Sequence, residues 1–215
     1  MLIEWLGHSC FKVTLKNGTR ILLDPYDDRT GHTLHDVEAD IVTISHAHHD
    51  HNNLSCVTGD YTVVDKPGVY TFGELTIEGI KTWHDKDNGA KRGENICFLL
   101  SVRGMRLCHM GDIGEIPQGD LIEKLKGTEI LLIPVGGKYT IDACEALQVS
   151  EAIEPNIIIP MHFQTAETGL DLAPLSDFLE AAGREYDVSH RGKSYINIDK
   201  ATLKKRTRIV VMDYM

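Results

Sequence analysis

The stretch "SHAHHDHNN", Ser45 to Asn53, places four imidazoles and a carboxylate between positions 46 and 51 of a chain with only 11 histidines in 215 residues. Neutral imidazole and carboxylate are ligands for zinc and similar divalent ions, and a catalytic site of that kind keeps at least one position open for water. Further donors lie downstream: His84 in "KTWHDKD", Asp112 in "CHMGDIG" and His162 in "IIIPMHFQT". His46, His84, Asp112 and His162 each stand where a hydrophobic run gives way to a loop. Loops along one edge of a packed sheet are where scaffolds present functional side chains. On an extended exit from a strand, residues i and i+2 point the same way, so His46 and His48 can share one ion. Asp50 and His51 lie beyond a turn and suit a second. The seven donors His46, His48, Asp50, His51, His84, Asp112 and His162 are too many for a closed single-ion knot and suit two ions with water positions left open.

The elements that must position these groups follow from the hydrophobic pattern. "LIEWL", "SCFKVTLK" and "TRILLDP" read as strands, with a hairpin turn at Asn17–Gly18. "ADIVTIS" is a buried strand that runs directly into the histidine cluster, and "YTVVD", "GVYTFGELTIEGIKT" and "NICFLLSVRGMRLCHMGD" supply more sheet. The second half alternates. "QGDLIEKLKG", "DACEALQVSEAIEP" and "LAPLSDFLEAAG" read as helices, interleaved with the buried strands "TEILLIP" and "NIIIPMH". Strands first, then alternating helices and strands, predict an α+β or layered α/β domain with sheet buried under helices, residues 1–215 forming a single domain.

Composition narrows the function. No apolar run approaches the ~20 residues that cross a bilayer, and the N-terminus lacks a basic segment before an apolar core, so a cytoplasmic protein without a membrane association is expected. Five scattered cysteines with no C-x-x-C pair suit reduced thiols and argue against a thiolate zinc knot. A net charge of −10 weakens the case for long nucleic acid as a partner. The one basic cluster, Lys200 to Arg208, reads as a solvated tail or charged edge strand, with a polyanion patch as the minority reading. "TRIVVMDY" reads as an edge strand that pairs within the domain or across a subunit interface, which leaves a homo-oligomer open.

The series His46-x-His48-x-Asp50-His51, then His84, Asp112 in "GD" and His162 in "PMH", resembles the ligand series of the metallo-β-lactamase-fold hydrolases. "WLGHSCF", "RILLDP", "HMGDIG", "IPVGGKYTIDACEA" and "IIPMHFQT" are similar to the branch that contains the ascorbate-6-phosphate lactonases and related hydrolases, so the resemblance runs from about residue 3 to about residue 168. The chain has no long insertion between Asp112 and His162, unlike nucleic-acid-processing relatives. The resemblance implies a four-layer αββα sandwich. It also implies two divalent metal ions, zinc in the first place, with manganese, nickel or iron suited to the same donors. His46, His48 and His84 would hold the first ion, Asp50, His51 and His162 the second, and Asp112 would bridge them.

Two such ions lower the pKa of a shared hydroxide and polarise the bond under attack. Two divalent ions less two aspartates and a hydroxide leave the pocket at about +1 despite the acidic chain, which suits a small anionic substrate such as a phosphoester or a phosphate-bearing lactone. Asp50 is the expected catalytic residue, orienting the hydroxide and accepting a proton, as the resemblance implies. Asp24 either accepts a hydrogen bond from a ligand imidazole or is a turn residue before Pro25; His8 either lines the site or bonds to backbone; Tyr139 in "GGKYT" is a candidate substrate contact. His49 is expected outside the ligand set and His109 in the core. Rival readings are a metal-free binding module on the same fold and a phosphodiesterase acting on nucleotides or lipids. A flavodiiron-type redox protein is disfavoured, since His48 stands where those proteins carry a glutamate.

Overall fold

The computed structural model describes residues 1–214. Alternating burial marks β1 (Leu2–Trp5) and β2 (Phe11–Thr14), and the turn around Asn17 and Gly18 returns the chain into β3 (Arg20–Leu23). Then come β4 (Val37–Glu38), β5 (Ile41–Thr43), β6 (Val57–Thr58) and β7 (Thr62–Val64). Two hairpins succeed them: β8 (Gly68–Phe72) with β9 (Leu75–Trp83), and β10 (Glu94–Val102) with β11 (Met105–His109). The β10–β11 connection is Arg103–Gly104, both at positive φ (+49° and +71°), as a hairpin turn whose twist matches its strands requires.

The chain then alternates through α1 (Asp120–Leu125), β12 (Ile130–Pro134), α2 (Ala143–Ile153), β13 (Ile157–Met161) and α3 (Leu175–Ala182), and ends in β14 (Asp187–His190), β15 (Tyr195–Asn197) and β16 (Arg208–Val211). α2 starts at a reciprocal capping box: the Glu145 N–H donates to the Asp142 carboxylate (2.9 Å), and the Asp142 N–H to the Glu145 carboxylate (3.1 Å).

These strands form two large sheets. One runs β15-β1-β2-β3-β5-β7; the other runs β14-β16-β13-β12-β11-β10-β9-β8, antiparallel from β8 to β11 and parallel from β11 to β14. Phe11, Val13, Ile21, Leu23 and Ile41 share one apolar core with Phe98, Leu100, Leu107 and Ile133 of the facing sheet. Ala146, Val149, Ile153 and Phe178 of α2 and α3 belong to the same core and cover the far side of the second sheet, which is why β12 and β13 are buried at every position. The outer face of the first sheet, Leu22 and Val42, is packed against Tyr26, Leu34, Ala39 and Cys56. The expected sandwich is therefore present, with a thin first layer of short 3₁₀ turns (Asp28–Thr30, Leu54–Cys56) and the β4–β6 ribbon in place of α-helices.

One expected element sits elsewhere. "TRIVVMDY" is not an edge strand: β16 lies between β13 and β14, parallel to both, with Ile209, Val210 and Val211 buried. A run of three branched apolar residues gains most from a position covered on both faces, so burial decides against the edge. β15, which adds to β1 as the margin of the first sheet, has little apolar signal of its own.

Strand direction decides where side chains can converge. Within the first sheet β1, β3 and β5 point the same way, and within the second so do β9, β11, β12 and β13. Their C-terminal ends all open into loops at one edge of the sandwich, the usual place for a ligand in sheets of this kind. Ile133, fully buried near the C-terminal end of β12, tests the core beneath that edge. Ile133→Ala is expected to lower the unfolding free energy by about 2–5 kcal/mol, read as a shifted urea midpoint with an unchanged slope.

Candidate metal centre

His8 follows β1, Asp24 follows β3, His46 follows β5, His84 follows β9, Asp112 follows β11 and His162 follows β13. Asp112 is where they meet. Its carboxylate is 2% exposed, with Oδ1 3.2 Å from His51 Nε2 and Oδ2 3.1 Å from His162 Nε2 and 3.5 Å from His84 Nε2. Ligand atoms of His46, His48 and His84 gather within 4.8 Å of one another, and so do those of His8, Asp50, His51 and His162. A third group, His46, His51 and Asp112, joins the two.

Two glycines let Asp112 reach this place. A Cβ on Gly111 would stand 2.4 Å from Asn95 Oδ1 and 2.6 Å from Ser45 Cβ; one on Gly114 would stand 2.4 Å from the His84 carbonyl carbon. No larger residue fits at either position without moving backbone or buried side chains.

The electrostatics favour cation binding. Burial pushes His46 down to about 2, with His51 adding to the effect, and burial likewise lowers His84, so both rings are neutral and bear a free lone pair. Burial alone would raise the Asp112 carboxyl, but His162 and His51 hold it well below the ordinary range; His51 and His8 do the same for Asp50. Burial opposes charge on His51, yet the carboxylates of Asp112 and Asp50 raise it well above its usual value. Positive charge is thus favoured at His51 Nε2, whether a proton or a metal ion supplies it.

The residues also fit a metal by what they lack. Among the described residues, His46 Nε2, His51 Nε2, Asp112 Oδ1 and both nitrogens of His8 and His162 are buried without a hydrogen-bond partner. An unpaired buried polar atom costs about 1–3 kcal/mol. Many of them converging on one spot are the signature of atoms that a cation satisfies.

Comparison with known proteins agrees. Residues 2–162 match the family model described as the Beta-lactamase superfamily domain. The chain belongs to this superfamily. It is similar to the UPF0173 metal-dependent hydrolase of Carboxydothermus hydrogenoformans, 33% identical over 91% of this chain and all of that protein. A metallo-β-lactamase superfamily structure from Thermotoga maritima is 33% identical and superposes with a TM-score of 0.81 over 100% of this chain and 99% of that one. Igni18, a metallo hydrolase from Ignicoccus hospitalis, shares the fold at 20% identity, with a TM-score of 0.68 over 99% of this chain and 94% of its own. The chain is thus a metal-dependent hydrolase of the metallo-β-lactamase superfamily.

In this superfamily member the neighbours of the donors are as defined as the donors. Asp24, fully buried, accepts hydrogen bonds from the Ser45 N–H (2.8 Å), the Ser45 hydroxyl (2.5 Å) and His51 Nδ1 (2.8 Å). Because Ser45 Oγ donates to Asp24, it accepts from His46 Nδ1 (2.9 Å). One carboxylate therefore fixes two imidazoles in the tautomer that turns Nε2 toward the site. Of the two readings of Asp24, the turn residue and the imidazole partner, the structure shows both roles in one residue, since Asp24 also has φ +47°. His8 is buried and lies in the second donor group, Nε2 3.3 Å from Asp50 Oδ2, so it lines the site rather than bonding to backbone through its ring.

Tyr139 lines a cavity that shares His84 with the donor groups. His49 sits outside them, Nδ1 3.2 Å from Asp27. His109 is in the core, accepting from the Gly111 N–H at Nδ1 (3.2 Å) and donating from Nε2 to the Ser9 carbonyl (2.8 Å), so it braces the loop that carries His8. The basic segment lies elsewhere, Lys204, Arg206 and Arg208 lining a separate surface cavity at the start of β16.

Two residues escape sequence reasoning. Ser45 is one; Asn95 is the other, fully buried, accepting the Asp112 N–H (2.9 Å) and donating to the Met110 carbonyl (2.9 Å). A serine directly before the first histidine and an asparagine opening an apolar strand are the only signals. Asp24→Ala is expected to weaken metal affinity by roughly 10–100-fold in a chelator competition while the circular dichroism spectrum is retained. Unchanged affinity would exclude Asp24 as the partner that orients His46 and His51.

Proposed function

We propose that this hydrolase cleaves an ester-type bond, a lactone or a phosphoester, in a small anionic substrate at a binuclear metal centre. The observation that supports this reading is the pair of donor groups with Asp112 between them. His46, His48 and His84 would hold one ion, and Asp50, His51 and His162 the other, with zinc the metal that neutral imidazole and carboxylate suit first and manganese, nickel or iron able to use the same donors. Such a pair lowers the pKa of water toward neutrality and polarises the bond under attack.

The protein's own groups do the rest. Asp50 is ionised and part-exposed, and its Oδ2 stands 3.3 Å from His8 Nε2 and 3.7 Å from His51 Nε2. On this reading it would orient the attacking water and take a proton from it. Asp24 and Ser45 keep His46 and His51 in the ligating tautomer, so no ring has to flip during turnover. His48 is exposed, which opens the first donor group to a substrate from solvent. The complete donor set favours catalysis over a metal-free binding module. Among the described residues no helix is long and apolar enough to cross a membrane, and the five cysteines are free.

Removal of metal by a chelator is expected to abolish hydrolysis in a screen of lactones, phosphodiesters, phosphomonoesters and thioesters, and added zinc to restore it. His84→Ala and Asp112→Ala should each lose both bound metal, by elemental analysis, and activity. Asp50→Asn should lower kcat by roughly 10²–10⁴. Variants that keep metal and rate together would sink the ligand assignment.

A further inference from the structure

The segment after β9 is folded around one carboxylate. Asp85, 7% exposed and next to His84, accepts the N–H groups of Asp87 (2.8 Å) and Gly89 (2.9 Å) on Oδ1 and those of Lys91 (2.9 Å) and Arg92 (2.7 Å) on Oδ2. Charge-assisted bonds to four backbone donors fix the path of the loop from the metal-donor histidine out to Arg92. A facing loop after β12 presents Tyr139, with Lys138 before it in the left-handed region (φ +57°). The Arg92 guanidinium lies over the Tyr139 ring, 4.7 Å from its centroid, and Nη2 donates to the Lys138 carbonyl (3.3 Å). Between the two loops opens a cavity of about 310 Å³ whose wall includes His84, Arg92 and Tyr139. That is the lower end of the ~300–1,000 Å³ typical of small-molecule sites.

The charges of this cavity are unequally committed. Lys86 pairs with Glu145 (2.5 Å), Lys91 with Asp87 (2.5 Å) and Lys138 with Asp171. Asp142 and Glu145 are engaged in the cap of α2, and Asp85 in its loop. Among the described residues, Arg92 is the cation of this cavity with no carboxylate within 4.0 Å. Its Nε and Nη1 edges make no protein hydrogen bond among the described residues. A guanidinium already stacked on an aromatic ring loses little freedom on binding, and its planar fork matches a carboxylate or phosphate at two points.

We propose that Arg92, held on Tyr139, binds an anionic oxygen group of the substrate, carboxylate or phosphate, distinct from the bond that is cleaved. This rests on the hydrolytic reading of the donor groups, and it places the specificity of the site in the two loops beside His84.

Binding and turnover test it separately. Metal-free protein is titrated calorimetrically with phenyl phosphate, and zinc-loaded protein is assayed on p-nitrophenyl acetate and on mono-p-nitrophenyl succinate, which adds a free carboxylate. Arg92→Gln, matched to the wild type in melting temperature and zinc content, is expected to weaken phenyl phosphate binding by about tenfold or more. It should lower kcat/KM for the succinate ester by a similar factor and leave the acetate ester unchanged. Equal binding by wild type and Arg92→Gln, no binding by the wild type, or an equal fall on both esters overturns the proposal. If zinc-loaded wild type hydrolyses neither ester while binding still depends on Arg92, the hydrolytic reading fails for these bonds and the anion site stands.

Discussion

A carboxylate buried to 2% exposure between the ends of two sheets is the constraint on which the rest of the site depends. Asp112 cannot be ionised there unless positive or polar groups face it from several directions. His51 comes from the loop after β5, His84 from the end of β9 and His162 from the end of β13, so both sheets must bring strand ends of the same direction to the same edge. The Asn95 amide fixes the Asp112 peptide from below, and Gly111 and Gly114 let neighbouring backbone close in around it. A shift of either sheet by one residue would turn these side chains to the opposite face.

This arrangement works against stability and is held by what lies beneath it. His8, Asp24 and His162 all adopt positive φ (+50°, +47° and +53°), which costs of order 1–3 kcal/mol for a non-glycine residue. To that are added the unpaired imidazole nitrogens of His8, His46, His51 and His162. The continuous core of Phe11, Phe98, Leu107, Ile133 and their neighbours offsets these costs, and His109 ties the His8 loop to β11 across the sandwich. These three strained positions stand together where the candidate ligands converge, above a continuous apolar core that holds them in place.

The residues that converge on the candidate centre are legible in the sequence because their signal is local. A His-x-His-x-Asp-His run at the end of an apolar strand states its own geometry, and His84, Asp112 and His162 repeat the strand-end placement. The alternation of helices and strands in the second half and the hairpin turn at Asn17–Gly18 are legible for the same reason. What is not legible depends on approach between distant segments. Ser45 acquires its role only because Asp24, 21 positions earlier, reaches it, and Asn95 only because Asp112 lies 17 positions on. His8 joins Asp50, His51 and His162 because the chain after β1 runs beside the end of β13, which no local pattern states. β16 misleads as an edge strand because an apolar run of three does not say how many neighbours it has. The missing outer helices have a similar cause: loops rich in turns can bury Leu22 and Val42 as well as a helix can.

The exposure of the two donor groups differs, and with it the direction from which a substrate can come. His48 is open to solvent, whereas His51 and His162 are buried and His8 closes the space behind Asp50. The cavity with Arg92 and Tyr139 adjoins the first group through His84. On the proposed reading, a substrate whose anionic group rests on Arg92 would bring its scissile bond toward His84 and the donors beyond it. The acidic surface of the chain, at −10, does not oppose this, because on the proposed reading the field inside the pocket would be set by the donors, the ions they would hold and the Arg92 guanidinium rather than by distant, screened carboxylates. Substrate choice can then change with the residues of two loops, and the donor network beneath them need not move.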